Sequence, residues 1–231
     1  MTENIHFETV TPADIERRSM AIIESELGDA SHLSPVQKSI VKRVIHTTAD
    51  FDYLQTLRFS PNAVERGLSA LQNHAVIVTD TQMALSGISK PALKALGCEA
   101  CCFMSDPAIA RRAKENGTTR AVASIDEAAA RFADRNVIFA VGNAPTALIR
   151  LYELMQEQTV SPALVIGTPV GFVNVVPSKQ LIMRGKAPYI VAEGRKGGSG
   201  VAAAICNAML YQLYDRASGR ILALEERQPH E

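Results

Sequence analysis

Short, unbroken apolar runs recur along this chain, separated by stretches that carry helical start signals. The clearest is Ala75–Thr79, and the further strand candidates are Glu99–Met104, Thr119–Ala123, Val137–Val141, Ala163–Ile166 and Tyr189–Ala192. A strand with one wet face alternates apolar and polar residues, whereas a strand covered on both faces has no such requirement. Runs of this kind between helices predict a mostly parallel sheet with helices on both sides, a three-layer α/β/α fold. Three helical segments precede the first run, over Thr11–Leu27, Ser34–Thr48 and Ser60–Gln72. Asp106-Pro107 and Pro145 mark later helix starts, Ser124-Ile-Asp-Glu127 reads as a capping box, and Val201–Tyr214 is the last helical stretch. At 231 residues the chain is long enough to bury a sizeable core, and one domain over 1–231 is expected.

Charge removes several function classes. Lys plus Arg and Asp plus Glu stand at 24 each, so no global basic field draws the chain to nucleic acid. The first residues lack the basic and apolar regions of a secretory signal, and a cytoplasmic location is expected. Thr159 to Ser178 carries no charge, but Pro162, Pro169, Pro177, Gly167, Gly171 and Asn174 divide it into strand and loop rather than a membrane span. Cys98, Cys101, Cys102 and Cys206 read as reduced core thiols, because no second Cys-x-x-Cys and no nearby His-x-x-His completes a metal site. No metal site is expected.

One histidine stands apart. Ser34-Pro35-Val36-Gln37 combines a capping box with proline at the first helical position, which fixes where that helix begins. Val36, Ile40, Val41, Val44 and Ile45 then share one stripe, and His46 points nearly opposite, beside Lys42 and Arg43 with Asp50 four residues on. Such a histidine faces solvent, a partner chain or a ligand, with a carboxylate expected in reach to bias its protonation. His6 and His230 lie near the termini, and His32 and His74 in loops. Ser19 is the converse oddity, a hydroxyl on the arc of Ile15, Ile22, Ile23 and Leu27 that is expected to be buried; it either bonds back to a carbonyl or serves a ligand.

Three strand candidates run into glycine-rich turns: Val141-Gly-Asn-Ala-Pro-Thr146, Gly167-Thr-Pro-Val-Gly-Phe172 and Gly194-Arg-Lys-Gly-Gly-Ser-Gly200. In an open α/β sheet, loops at the carboxyl ends of the strands form the ligand crevice. Backbone N–H groups at helix starts, with Arg195, Lys196 and Ser199 beside them, suit an anionic ligand. Neither a Walker loop nor a dinucleotide fingerprint is present, which disfavours a nucleotide-dependent enzyme. Asp80, at the end of a strand, either holds a ligand or caps the residues after it.

The chain resembles the precorrin-8X methylmutase family, including its anaerobic branch acting on cobalt-precorrin-8. The resemblance runs from about Ile15 to Tyr211. It rests on Glu16-Arg-Arg-Ser19-Met-Ala-Ile-Ile, Arg43-Val-Ile-His46, Asp80-Thr-Gln-Met, Gly142-Asn-Ala-Pro-Thr-Ala-Leu, Gly167-Thr-Pro-Val-Gly-Phe-Val and Gly194-Arg-Lys-Gly-Gly-Ser. It implies an isomerase of cobalamin biosynthesis that moves a methyl group from C-11 to C-12 of the macrocycle by a 1,5-sigmatropic shift, giving hydrogenobyrinate or cobyrinate. No organic cofactor is implied, and His46 takes the catalytic position as proton donor. The substrate bears acetate and propionate arms. Ser19, Arg43 and Arg120 fall where the family meets it, and Asn143, Thr146, Lys179, Arg195 and Ser199 are expected to hold its carboxylates. A homodimer with the site near the subunit boundary is also implied. A corrinoid carrier without turnover is the alternative.

Overall fold

The computed structural model describes residues 11–223, without the side chains of residues 12 and 13. His6, His230 and the charged tail from Glu225, which the sequence suggests is frayed, lie outside the described residues. The chain opens with α1 (Pro12–Glu26), α2 (Pro35–Thr48), α3 (Tyr53–Thr56), β1 (Leu57–Phe59) and α4 (Ala63–Gln72). Next come β2 (Val76–Thr79), α5 (Gln82–Gly87), α6 (Lys90–Leu96), β3 (Glu99–Cys101), α7 (Pro107–Glu115) and α8 (Arg120–Arg131). They are followed by β4 (Val137–Val141), α9 (Pro145–Gln156), β5 (Leu164–Gly167), α10 (Val175–Arg184), β6 (Tyr189–Ala192) and α11 (Ser199–Leu210). A small hairpin of β7 (Tyr214–Asp215) and β8 (Arg220–Ile221) ends the described chain.

The main sheet has the order β1-β6-β5-β4-β2-β3, with β1 antiparallel to β6 and every other pair parallel. Alternate residues of the same strand enter opposite cores. Ile138 and Ala140 face α2, α4 and α11, whereas Val137, Phe139 and Val141 face α8 and α9. The three-layer expectation therefore holds, and the apolar runs lack alternation for the predicted reason.

Three readings of the sequence change. Thr119–Ala123 is not a strand: Thr119 is the N-cap of α8, its Oγ1 accepting from the Val122 N–H at 3.2 Å. Ser124 consequently falls inside that helix, buried, and caps nothing. Three strands are unforeseen: β1, a three-residue edge that pairs with the last long strand, and the hairpin β7 and β8, because the last helix ends at Leu210 and Tyr214 is a strand residue rather than a helical one. Among the described residues no helix is long and apolar enough to cross a membrane.

Candidate active site

Strand β2 is flanked by β3 on one side and β4 on the other, so the chain reverses its direction of growth between β2 and β4. A ligand crevice is expected at the carboxyl ends of that pair. Asp80, which directly follows β2, occupies its base. It is 3% exposed, its Oδ1 accepts from the Gly142 N–H at 2.8 Å, and its Oδ2 accepts from the Asn143 and Ala144 N–H groups at 2.8 and 2.6 Å. The N–H cluster of the first glycine turn therefore already has an internal anion. Burial pushes the Asp80 carboxyl above its ordinary range, against the pull of those three N–H groups. Asp80 neither awaits a ligand nor caps a helix; Thr81 is the N-cap of α5, its Oγ1 accepting from the Ala84 N–H.

The three glycine turns follow adjacent parallel strands and are stitched to one another. The Thr168 N–H donates to the Val141 carbonyl at 2.8 Å, and the Gly198 N–H donates to the Thr168 carbonyl at 2.7 Å. A Cβ on Gly197 would stand 2.2 Å from the Thr168 oxygen, and one on Gly142 would stand 2.7 Å from the Ser199 Cα, so both positions require glycine. Ser199 opens α11, and its hydroxyl lies 2.7 Å from that of Thr81. Thr146, in the first turn of α9, meets Thr119 at 3.1 Å, which brings the neighbouring Arg120 to the same sheet edge, where Arg120 and Asn143 are both exposed.

Helix α2 delivers His46 to this edge. Its start is the predicted capping box, with Ser34 Oγ accepting from the Gln37 N–H and Gln37 Oε1 accepting from the Ser34 N–H. Ile40, Val41, Val44 and Ile45 are buried, and His46 is exposed on the opposite face. A Cβ on Gly200 would meet Thr47 Cγ2 at 3.7 Å, so the end of α2 lies against the first turn of α11. Among the described residues the His46 ring has no hydrogen-bond partner within the protein. The expected carboxylate support from Asp50 is not there. Ala49 ends α2 in the left-handed region (φ 53°), which takes Asp50 off the helical path, and its carboxylate instead pairs with Lys196 at 2.7 Å. That ammonium holds the Asp50 carboxyl below its usual range.

The remaining expected site residues divide. Arg43 lies one turn before His46 on the same face, with its guanidinium 2.7 Å from Glu16 and 5.4 Å from the Tyr211 ring centroid. Arg195 is exposed and stacks over Phe172 at 5.4 Å. Ser19 bonds back to the Ile15 carbonyl at 2.8 Å. The face it shares is not buried as expected, because Ile15 and Ile22 are 54% and 55% exposed while Ile23 and Leu27 carry the contact with the core. Lys179 requires a correction. It is 1% exposed, and its Nζ donates to the Gly194 and Lys196 carbonyls at 2.8 Å each. It braces the third glycine turn from beneath and presents nothing to a ligand. Desolvation lowers its pKa to about 8. Lys196, expected beside an anionic ligand, instead ties this turn to Asp50 and to Asp52 at 2.6 Å, and sequence reading passed over Phe172, which is 81% exposed. The position of Phe172 inside a quoted motif was the available signal.

The four cysteines are free thiols, and burial pushes Cys101 up to about 11 and Cys206 up to about 12, so both stay protonated at neutral pH. Among the described residues no group of three or more His, Cys, Asp and Glu side chains is placed to hold a metal ion.

Comparison with known proteins meets this geometry. A sequence profile described as Precorrin-8X methylmutase matches residues 14–212. The cobalt-precorrin-8 methylmutase of Salmonella typhimurium is 47% identical, with 87% of this chain and 96% of that protein covered. That of Leptospira interrogans is 40% identical, with 85% and 92% covered. The crystal structure of precorrin-8X methylmutase from Thermus thermophilus superposes with a TM-score of 0.81 at 41% identity, with 87% of this chain and 95% of that one covered. This chain belongs to the precorrin-8X methylmutase family.

Proposed function

We propose that the chain is an isomerase of cobalamin biosynthesis that moves a methyl group from C-11 to C-12 of precorrin-8X or cobalt-precorrin-8, with His46 as proton donor. The product is hydrogenobyrinate or cobyrinate. The observation that carries this reading is the placement of His46: a solvent-facing imidazole without a partner among the described residues, one turn beyond Arg43 and near the first turn of α11. A sigmatropic shift needs little covalent help. Protein supplies one bound orientation and a proton at the right ring atom. An isomerisation returns every atom, so the proton given at one ring position is balanced by one released at another, and the imidazole ends as it began. Histidine suits that cycle because its ordinary pKa lies near neutrality.

Arg43, Arg120, Arg195 and Ser199, with Asn143 and Thr146 beside them, form the proposed carboxylate-binding set, and Ser19 meets the substrate from α1. Lys179 leaves that set and becomes the brace of the turn that presents Arg195 and Ser199. The proposed assembly is a homodimer whose boundary covers the exposed apolar groups Val170, Phe172 and Val173.

The test is His46→Asn and His46→Ala, assayed by the absorption change of metal-free and cobalt-containing substrate side by side. Both variants should fold and bind the corrinoid while losing rate by roughly 10² to 10⁴, the range for general acid catalysis. Unchanged turnover by His46→Asn removes His46 as the acid. Binding without any turnover by the unmutated protein makes it a corrinoid carrier instead.

A further inference from the structure

A cavity of about 1130 Å³ opens between α1 and α2 and reaches the end of α11. Its walls are mostly apolar, with Met20, Leu33 and Tyr211 among them, but its charges are lopsided. Arg17 is paired with Asp14 at 2.7 Å, which leaves Lys38, Lys42 and Arg43 facing Glu16 and Glu24, three cations against two carboxylates in a protein whose net charge is zero. Lys38 and Lys42 stand one turn apart on α2, a like-charge spacing that costs stability unless an anion lies between them. Glu24 of α1 is that anion: one oxygen contacts Lys38 Nζ and the other lies 2.8 Å from Lys42 Nζ. Glu16 likewise serves both Arg43 and Arg216. Each carboxylate answers two cations, so an anionic ligand finds positive charge in excess. The same α2 face carries His46 one turn beyond Lys42.

We propose that this cavity receives a carboxylate-bearing arm of the macrocycle, with Lys38 and Lys42 as the cations that take it and Glu24 as the group it displaces. The inference rests on the methylmutase reading above. Lys42 is only 12% exposed on its side chain and would be costly to leave unpaired, so Glu24 keeps it paired while the cavity is empty. Glu24 is 42% exposed and turns to water without a burial cost when the arm arrives. The exchange swaps one carboxylate for another, and the cations never lose a partner. Because α1 packs chiefly on α2, it adjusts to the arm without disturbing the sheet.

The sign of one substitution separates this from a structural clip. Hydrogenobyrinate is titrated into the unmutated protein, Glu24→Gln and Lys42→Met, with circular dichroism to establish that each is folded. Removing the competitor in Glu24→Gln should tighten binding about two- to fivefold, the size of an exposed ion pair. Lys42→Met should weaken it about tenfold, as expected for a charge-assisted contact. If Glu24→Gln binds equally or more weakly, or Lys42→Met binds normally, the inference is overturned. If the unmutated protein binds no hydrogenobyrinate and turns over no substrate, the methylmutase reading falls first.

Discussion

Lys179 shows how much a single side chain can be asked to do out of sight of solvent. Its ammonium lies beneath the third glycine turn, bonded to two carbonyls of that turn, and burial lowers its pKa from 10.5 to about 8. Between those values the folded protein has released a proton that the unfolded chain still binds, so this group makes stability rise with pH in that window. The neutral amine keeps two N–H donors, enough for both carbonyls. Lys179→Met removes the titration and both bonds. Urea unfolding at pH 7 and pH 10 should show the unmutated protein gaining on the variant by about 2 to 3 kcal/mol between the two pH values. A constant difference would mean that the ammonium is not held in a desolvated state. Nothing in Pro177-Ser-Lys179 announces this role, because burial of a lysine is decided by carbonyls contributed from residues 194 and 196. Asp80 is similar: its partners start 62 residues away. His46 and Arg43 were legible because their side of α2 follows from helical period and a strong start signal alone. The pairing of Asp50 was not, since it depends on a left-handed residue that no local pattern demanded.

At the scale of elements, the boundaries that were legible are those with chemistry at the cap. Ser34, Asp106 and Pro145 each stand where the sequence placed them. The stretch Thr119–Ala123 was misread because Thr-Arg-Ala-Val-Ala is too short for its period to separate strand from helix, and Ser124-Ile-Asp-Glu127 offered a plausible but later start. Thr119 takes the cap because it also meets Thr146 of α9, a contact no single segment reveals. Thr119→Ala should therefore cost about 1 kcal/mol of stability, the usual value of an N-cap, measured as a shift in the urea midpoint. Ser124→Ala should cost less, since Ser124 caps no helix and, among the described residues, its hydroxyl meets only the Met104 sulfur, at 3.5 Å. Equal losses would restore the later boundary. Strand β1 escaped for a related reason: Leu57-Arg-Phe59 is three residues long, and its identity comes from pairing with β6.

For the whole molecule, exposed apolar groups concentrate on α1 and on the turn after β5, where Phe172 and Val173 are 81% and 80% exposed. Patches of this kind mark contact surfaces. Sedimentation at micromolar concentration should give a dimer, and Phe172→Asp should shift it toward monomer; a monomer from the unmutated protein would refute the assembly. Helix α11 has a different consequence, one that concerns how the protein is made. It is apolar nearly all round, with nine buried residues, and packs against α2, α4 and α5 as well as the sheet. Yet it begins only at Ser199, and α2 begins at Pro35. During synthesis the surfaces that await α11 emerge early and stay uncovered while more than a hundred further residues are added, about 5 to 20 seconds at ribosomal rates of 5–20 residues per second. For that interval the nascent chain presents a greasy trough and no finished site, so its most vulnerable moment falls on the ribosome, and a chain stopped before residue 199 is bait for chaperones and proteases.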